Sequence, residues 1–578
     1  MAEYQVRHMK WWGWGDEDVT FSDADKPKLW PYLKGEMGLD DDHRTPPVSL
    51  EEINLPPAKE NAPFTGALKA ALQEDQFSSG KKDRLIHAAG KAFRDLLRMR
   101  RGQVDFAPDL IVYPSSEGDV VAIIKAANEH DAVIIPFGGG TNIAGCIEPK
   151  DRNGRFIVSL DMCRMYRVLS VDKWSLVARV QSGVYGPHME EQLEDEGVTL
   201  GHFPDSFEHS TLGGWVATRS AGMQSDKYGK IEDMVIALRM VTPSGTIVTR
   251  TVPNTSNGID IRSLCVGSEG ILGVITEVTV QVHRLPEYKM FEGWLFPDFE
   301  SGTKAIHECM RLGVMPVITR LNDPGKTALS AAFKKAESPL KQRISKVMKW
   351  YLGTVKGIEF SKCCMMTTAY EGDYDTFHMQ RRESSYVFRK HGGVCLGEGP
   401  GKSFQEAKYD FPHVRDYLMD RGVMGDVSET STTWDNLLNL YNKTLANIER
   451  AIRDTGVDPC VGCHISHNYH TGASLYFTFG CRQVEGAELE QYLYIKKAAE
   501  DSFMQNGGTL SHHHAVGTEH LPWIEEDISP AGVKAVKSLK SGLDPNGVMN
   551  PGKIIPGPRP LHEWGLKDEV IKSFKQAG

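Results

Sequence analysis

Nowhere in its 578 residues does the chain hold a run of ~18 apolar side chains, the length a membrane-crossing helix needs. Nor does its start carry the basic, apolar and small-residue pattern of a secretory leader, so a soluble intracellular protein is expected. Basic excess is missing too. With 66 Lys and Arg against 76 Asp and Glu, the net charge of −10 leaves no electrostatic footprint for nucleic acid. The ten cysteines are scattered, which suits reduced thiols better than a disulfide framework. No long-period repeat is present. The final residues, Lys575 to Gly578, form no peroxisomal tripeptide, and no clear N-terminal peroxisomal signal stands out, which makes the cytoplasm the default compartment. Also absent is a G-x-G-x-x-G turn opening a helix. After Gly138, Gly139 and Gly140 the next glycine is Gly145, and Gly145 to Pro149 is no helix start, which counts against a nicotinamide-type Rossmann site.

What is present is globular in composition, 40% hydrophobic and 25% charged. The length exceeds one ordinary core at ~150 residues per domain, and a continuous motif-rich region favours two domains over four. The organising stretch runs from Ile134 to Gly145, where an apolar strand enters three glycines followed by Thr141 and Asn142. Without Cβ atoms the backbone can turn sharply and bare its N–H groups to a bulky anion, so Pro136, Gly138, Gly139, Gly140, Thr141 and Asn142 read as a pyrophosphate cradle. Upstream, Asp109 to Tyr113 reads as a strand, and Ser116 to Ala127 as a helix with Ser116 and Asp119 at capping-box spacing. Taken alone, a glycine run is a weak signal that a plain turn fits nearly as well.

Two further stretches change the balance. Pro204 to Met223 is dense in small and hydroxyl residues, among them Pro204, Asp205, Ser206, Ser210, Thr211, Gly213, Gly214, Thr218, Arg219 and Ser220. A planar ligand can lie close to such a backbone and take donors from it. Gly267 to Glu277 adds a glycine turn, with Glu269, Gly270 and Gly273, entering an alternating strand through Val274 and Ile275. Together the three stretches resemble the FAD-binding domain of vanillyl-alcohol-oxidase-type flavoproteins.

The first ~60 residues, rich in Pro and Asp, have the composition of an extended arm. Trp11, Trp12 and Trp14 are the exception, and should pack on a domain surface or a partner. Lys10 to Gly15 also resembles the Lys-Trp-x-Gly-Trp-Gly signature of alkyl-dihydroxyacetonephosphate synthases, and Pro204 to Thr218 and Tyr228 to Asp233 resemble two further motifs of the same family, Pro-Asp-Ser-x-Glu-x-Ser-Thr-x-Gly-Gly-Trp-x-x-Thr and Tyr-Gly-Asn-Ile-Glu-Asp. That resemblance spans nearly the whole chain. From about Pro286 the pattern turns to amphipathic helices and strands, as in an α+β substrate-capping domain. The fold class expected is therefore α+β, a vanillyl-alcohol-oxidase-type FAD-binding domain followed by a cap. Its parts would be an N-terminal arm and helical segment (1–104), the FAD-binding domain (105–285), the cap (286–540) and a C-terminal segment returning to the FAD domain (541–578).

Within the cap, Pro316 to Asp323 resembles the synthases' active-site arginine motif and assigns that role to Arg320. Phe411 to Tyr417 resembles the region whose arginine, here Arg415, holds the substrate phosphate, a task suited to a planar fork of donors. Glu429 to Asp435 matches another synthase segment and serves mainly to set register. Gly472 to Phe479 reads as a strand buried on both faces, and its Tyr476 matches the family's active-site tyrosine. Gly508 to Gly517 carries His512, His513 and His514, which can act as acid/base groups, phosphate donors or metal ligands. On an extended backbone His512 and His514 would share a face while His513 points away. Cys460-x-x-Cys463, with His464, His467 and His470, lacks a clean second pair, so no metal site is assigned. Lys341 to Lys356 mixes cations with an apolar stripe and Trp350, a pattern that fits either core packing or an anionic membrane surface.

The synthase resemblance implies non-covalent FAD and lipid substrates, 1-acyl-dihydroxyacetone phosphate and a long-chain alcohol. It implies an exchange of acyl for alkyl through a flavin N5 adduct without net redox, Tyr476 and the histidines moving protons. A homodimer, and a peripheral membrane contact, would accompany it. Ala515 and the Thr518 to Pro522 stretch after the histidines depart from the synthases, and the Leu543 to Lys553 ending looks more like the flavin-dependent 2-hydroxy-acid dehydrogenases, which keeps a dehydrogenase or oxidase as the alternative. A non-catalytic flavin-binding or membrane-adaptor protein ranks last, because the proton-transfer residues would have no task.

Overall fold

The computed structural model describes residues 6–150, 153–336 and 346–577. Three large sheets organise them, beside a two-stranded pair of Val198–Thr199 with His283–Arg284. In the first, β1 (Leu110–Val112) and β2 (Ala132–Phe137) both run parallel to β3 (Phe156–Asp161), which lies between them, and the short strand Phe77–Ser78 pairs antiparallel with β1. The crossover from β1 to β2 is α2 (Glu117–Glu129), preceded in the chain by α1 (Leu29–Met37). Ser116 caps α2 by accepting the Asp119 N–H at 3.2 Å, and Asp119 answers by accepting from Ser115 N–H at 2.8 Å. β2 is buried almost throughout, as a parallel strand covered on both faces must be.

The second sheet is antiparallel, in the order Val168–Asp172, β4 (Val177–Gln181), β6 (Val274–Gln281), β5 (Val235–Thr242) and Gly245–Val248. The helix α3 (Leu212–Thr218) packs on β6. Its end explains its brevity. Arg219 follows in the left-handed region, φ 52°, and stops the helix.

The third sheet holds seven antiparallel strands, Val394–Gly397, β7 (Tyr288–Phe296), β9 (Cys364–Gly372), β8 (Ile318–Asn322), β11 (Cys460–Asn468), β12 (Gly472–Arg482) and β10 (Val423–Thr433). One face of it, through Leu321, Cys463, Ile465, Leu475, Phe477 and Phe479, joins the largest apolar core. The other face is turned toward the FAD-type domain, and α4 (Pro324–Ala332) and α5 (Phe411–Met419) stand beside it.

Both ends of the chain cross between the two domains. As expected of so apolar a segment, the tryptophans pack on the domain surfaces they cross: Trp11 and Trp14 are buried, and Trp14 N–H donates to Asp416 Oδ2 of α5 at 2.8 Å. Gly13 is required there, since a Cβ would lie 2.1 Å from that carboxylate. After α6 (Ile524–Leu543), Met549 bridges to Ile134 of β2. Trp564 and Leu566 then join the core under the seven-stranded sheet, so the expected single returning segment divides between the two cores.

Candidate active site

The three glycine signatures converge because each glycine makes room for the next loop. A Cβ on Gly138 would meet Thr211 Oγ1 at 2.3 Å, one on Gly139 would meet the His209 carbonyl at 1.6 Å, and one on Gly270 would meet Pro136 at 2.9 Å. Close loop packing, rather than bulk of a ligand, is thus what demands glycine at these three positions. The N–H groups of Gly138, Gly139, Gly140 and Thr141 nevertheless have no acceptor among the described residues. Four consecutive donors without partners fit an anion of pyrophosphate type. Along the same wall the hydroxyls of Ser182 and Ser268 are buried without a partner among the described residues. Nearly all residues expected to hold the cofactor line this one cavity: Pro136, Gly138 to Asn142, Pro204, Asp205, Ser206, Ser210, Thr211, Gly213, Gly214, Thr218, Ser220, Glu269, Gly270, Gly273, Val274 and Ile275.

Arg219 does not line it. The left-handed turn that ends α3 swings its side chain outward, where Nε donates to the Val266 carbonyl at 3.3 Å and the residue is exposed. Glu269 and Asn142 have a second task that sequence reasoning missed. The Glu269 carboxylate accepts the N–H groups of Val516 and Gly517 at 2.7 and 2.8 Å, and Asn142 Nδ2 donates to the His514 carbonyl at 3.4 Å. Both tie the histidine segment to the glycine wall.

The opposite wall is the free face of the seven-stranded sheet. Alternation along the strands brings Ile318 and Arg320 of β8, His464 of β11, and Tyr476, Thr478 and Gly480 of β12 to the cavity. His464 and Tyr476 are register partners, rings 4.8 Å apart, and Tyr476 also pairs with Glu429 of β10. The same alternation explains why Cys460 and Cys463 form no joint site: Cys460 faces the cavity, Cys463 the apolar core. His464, noticed in the sequence only as part of that motif, belongs to the candidate site through its register position.

The histidine run is not extended. Residues 511–514 bend around the buried Glu429 carboxylate, whose Oε1 accepts the backbone N–H groups of His512, His513 and His514, each at 3.0 Å, and the Ser511 hydroxyl at 2.7 Å. The expected pairing of His512 with His514 on one face therefore fails. His513 and His514 line the cavity, whereas His512 turns away to Tyr469, Nε2 to hydroxyl 2.5 Å. Glu429, read only as a register marker, is the organising anion. Its one sequence signal was a second acidic residue, after Asp426, in a strand otherwise of apolar, glycine and hydroxyl residues.

Electrostatics sort the groups. Burial works against the Glu429 charge, but His513, His514 and the donors around it hold it well below the usual carboxylate range. Burial keeps His464 and His514 neutral, pushing both well below ordinary imidazole values, helped by Arg320 beside His464 and by His513 beside His514. Burial likewise pushes the Tyr476 phenol well up, reinforced by Asp205 and Glu429, so it stays protonated. The cavity thus offers neutral imidazole acceptors beside a phenolic donor. Arg415 on α5 is half-buried in the cavity wall near Asp416 and Asp426, and among the described residues it has no ion pair and its Nε no hydrogen-bond partner. Imidazole nitrogens of His467, His512 and His513 also lie within 4.8 Å of one another.

One part of the lining is an apolar arm, where Leu33 and Met37 of α1, Leu329 of α4, Phe333 just after that helix, Leu418 and Val423 cluster together.

Comparison with known proteins bears on all of this. Residues 108–251 match the model of the FAD binding domain, and residues 285–554 that of the C-terminal domain of FAD linked oxidases. The alkyldihydroxyacetonephosphate synthase of Dictyostelium discoideum is 38% identical over 96% of this chain and 95% of its own length. That of Trypanosoma brucei brucei is 38% identical over 95% and 93%. A solved alkyldihydroxyacetonephosphate synthase superposes with a TM-score of 0.84 at 37% identity, covering 94% of this chain and 99% of that one. The cofactor is FAD, and the unpartnered donors of the glycine wall fit it.

Proposed function

We propose, from the premise that this chain belongs to the alkyldihydroxyacetonephosphate synthase family, that it makes an ether-lipid precursor from 1-acyl-dihydroxyacetone phosphate and a fatty alcohol. The bond between carbon 1 and the ester oxygen breaks, the fatty acid leaves as its carboxylate, and the alcohol oxygen takes its place after giving up its proton. The glycine wall would hold FAD non-covalently, and the cofactor would supply an electrophilic ring as a reversible electron sink, so that no external electron acceptor is needed.

The protein's own residues bind, orient and move protons. Arg415 carries the reading: a guanidinium in the cavity wall without an ion pair among the described residues is costly until an anion arrives, and a substrate phosphate answers it. Arg320, cation-to-ring 5.8 Å over Phe404, orients the substrate from β8. A neutral imidazole, His514 or His464, takes the carbon-bound proton and returns it after the alcohol oxygen has added, while the Tyr476 phenol, which stays protonated, hydrogen-bonds the departing carboxylate oxygen. The apolar arm suits a long aliphatic chain and has no counterpart need in a small 2-hydroxy acid.

A peripheral membrane contact belongs to the same proposal. No helix among the described residues is long and apolar enough to cross a membrane. Residues 341–345 lie outside the described residues, but in the rest of that basic segment Val347 and Trp350 are 65% and 63% exposed, and Met348 and Val355 are exposed beside Lys346, Lys349 and Lys356. Such a face suits an anionic lipid surface from which chains are drawn.

The deciding experiment follows flavin absorbance anaerobically as 1-acyl-dihydroxyacetone phosphate and then a long-chain alcohol are added. Bleaching by the first, reversed by the second with fatty acid released and no acceptor present, is the expected result. Bleaching only by a 2-hydroxy acid, with recovery only on adding an acceptor, would make the protein a dehydrogenase.

A further inference from the structure

Lys326 has no role in the chemistry described so far. It sits on the first turn of α4, where Asp323 caps the helix by accepting the Lys326 N–H at 2.7 Å. The residue is 5% exposed and lines the cavity, with Nζ donating to Thr478 Oγ1 at 2.7 Å and resting 4.5 Å from the Phe411 ring centroid. Its ammonium has no carboxylate at ion-pair distance among the described residues.

Register places it within the cavity. Thr478 stands two residues past Tyr476 on the same face of β12, opposite Gly462 and Val427, and so ~7 Å from the Tyr476 row. Gly462 allows α4 to start directly over β11, since a Cβ there would lie 2.6 Å from Lys326 N. From Lys326 the helix runs on to Leu329 and Phe333, and Met37 overlies Gly480 in the next row. The ammonium therefore marks the neck between the polar floor and the apolar arm.

We propose that Lys326 is a fatty-carboxylate docking site, its ammonium binding the head group of a long-chain acid whose tail fills the apolar arm. This rests on the acyl-exchange reading and adds to it the residue that receives the departing acid. Chemistry favours a carboxylate at this position. A buried ammonium satisfied only by one hydroxyl and a ring face gains most from a singly charged acceptor, and an aliphatic chain in the arm brings its head group to the neck. Burial, with Arg320 of β8 adding to it, pushes the Lys326 ammonium down to about 7, so an arriving carboxylate would stabilise its charged form. The other titratable groups around it are Asp323 at its own cap, Asp205 from the loop before α3, and Cys460, Cys463 and His464 of β11.

The test uses the FAD-loaded protein and two soluble probes, decanoate and decanol, titrated by calorimetry. Lys326→Met should weaken decanoate about tenfold or more and leave decanol within about twofold. In the wild type, decanoate affinity should fall as pH rises from about 6 to about 8.5, because the ammonium is lost while the carboxylate stays ionised, and the variant should be flat over that range. Equal decanoate affinity in wild type, Lys326→Met and Lys326→Gln would overturn the proposal. Should the variants fail to retain FAD, a flat wild-type profile overturns it alone. A protein with no acyl exchange but Lys326-dependent decanoate binding would sink the synthase reading and keep the docking site.

Discussion

The two walls of the cavity are built by opposite means. The glycine wall presents backbone: three loops interlock so closely that Gly138, Gly139 and Gly270 leave no room for a Cβ, and the N–H groups of Gly138 to Thr141 are left for a ligand. The sheet wall presents side chains: Arg320, His464 and Tyr476 stand on three strands, with Arg415 and Lys326 on two helices beside them. A backbone site tolerates almost no substitution at its packing points. A side-chain site should tolerate removal of a reacting group while the fold persists.

The sharpest way to break that contrast is Gly139→Ala. A methyl 1.6 Å from the His209 carbonyl forces two backbones apart, so about 3 kcal/mol of stability and the bound flavin should be lost, checked by urea unfolding and by absorbance of the purified protein. Gly542→Ala, with open space around it inside α6, is the control and should stabilise slightly. Tyr476→Phe probes the other wall. Its hydroxyl has no hydrogen-bond partner among the described residues, so the variant should fold and keep FAD while exchange slows by about 100-fold or more, read in single turnover. Arg415→Met should raise KM for the phosphate-bearing substrate by about 10- to 100-fold at little cost in stability.

Glu429→Gln tests where the two walls meet. Losing the ionised acceptor should cost about 2 kcal/mol. Because the Glu429 carboxyl is held below its unfolded value, that contribution is complete above the unfolded pKa of about 4.3 and is lost as pH falls through the folded one. The wild type's advantage over Gln in denaturant melts should therefore shrink in acid and vanish only well below pH 4. The smallest effect belongs to Arg219→Ala, whose side chain faces away from the cavity: flavin affinity should stay within about twofold.

Legibility followed the same division. The glycine runs and the cap of α2 are local features, so composition and spacing exposed them, although the loops that demand those glycines lie far away in the chain. Arg219 misled because membership of a motif was taken for direction, and one left-handed residue reversed the side chain. His464 was overlooked because its role depends on pairing with Tyr476 across strands. Glu429 needed knowledge of what lies 83 residues later in the chain, at His512.

By itself the sequence determined the nucleotide-type wall, the α+β organisation, and the set of chemically able residues, since backbone conformation and alternation are local properties. Only the tertiary structure decided which of those residues share a cavity. It bent the histidine run around a buried carboxylate, turned His512 out and His513 and His514 in, brought the N-terminal tryptophans against α5, and placed Lys326 at the neck of an apolar arm. The physical reason is that these arrangements are set by strand register and by satisfaction of buried charge, both of which join residues far apart in the chain.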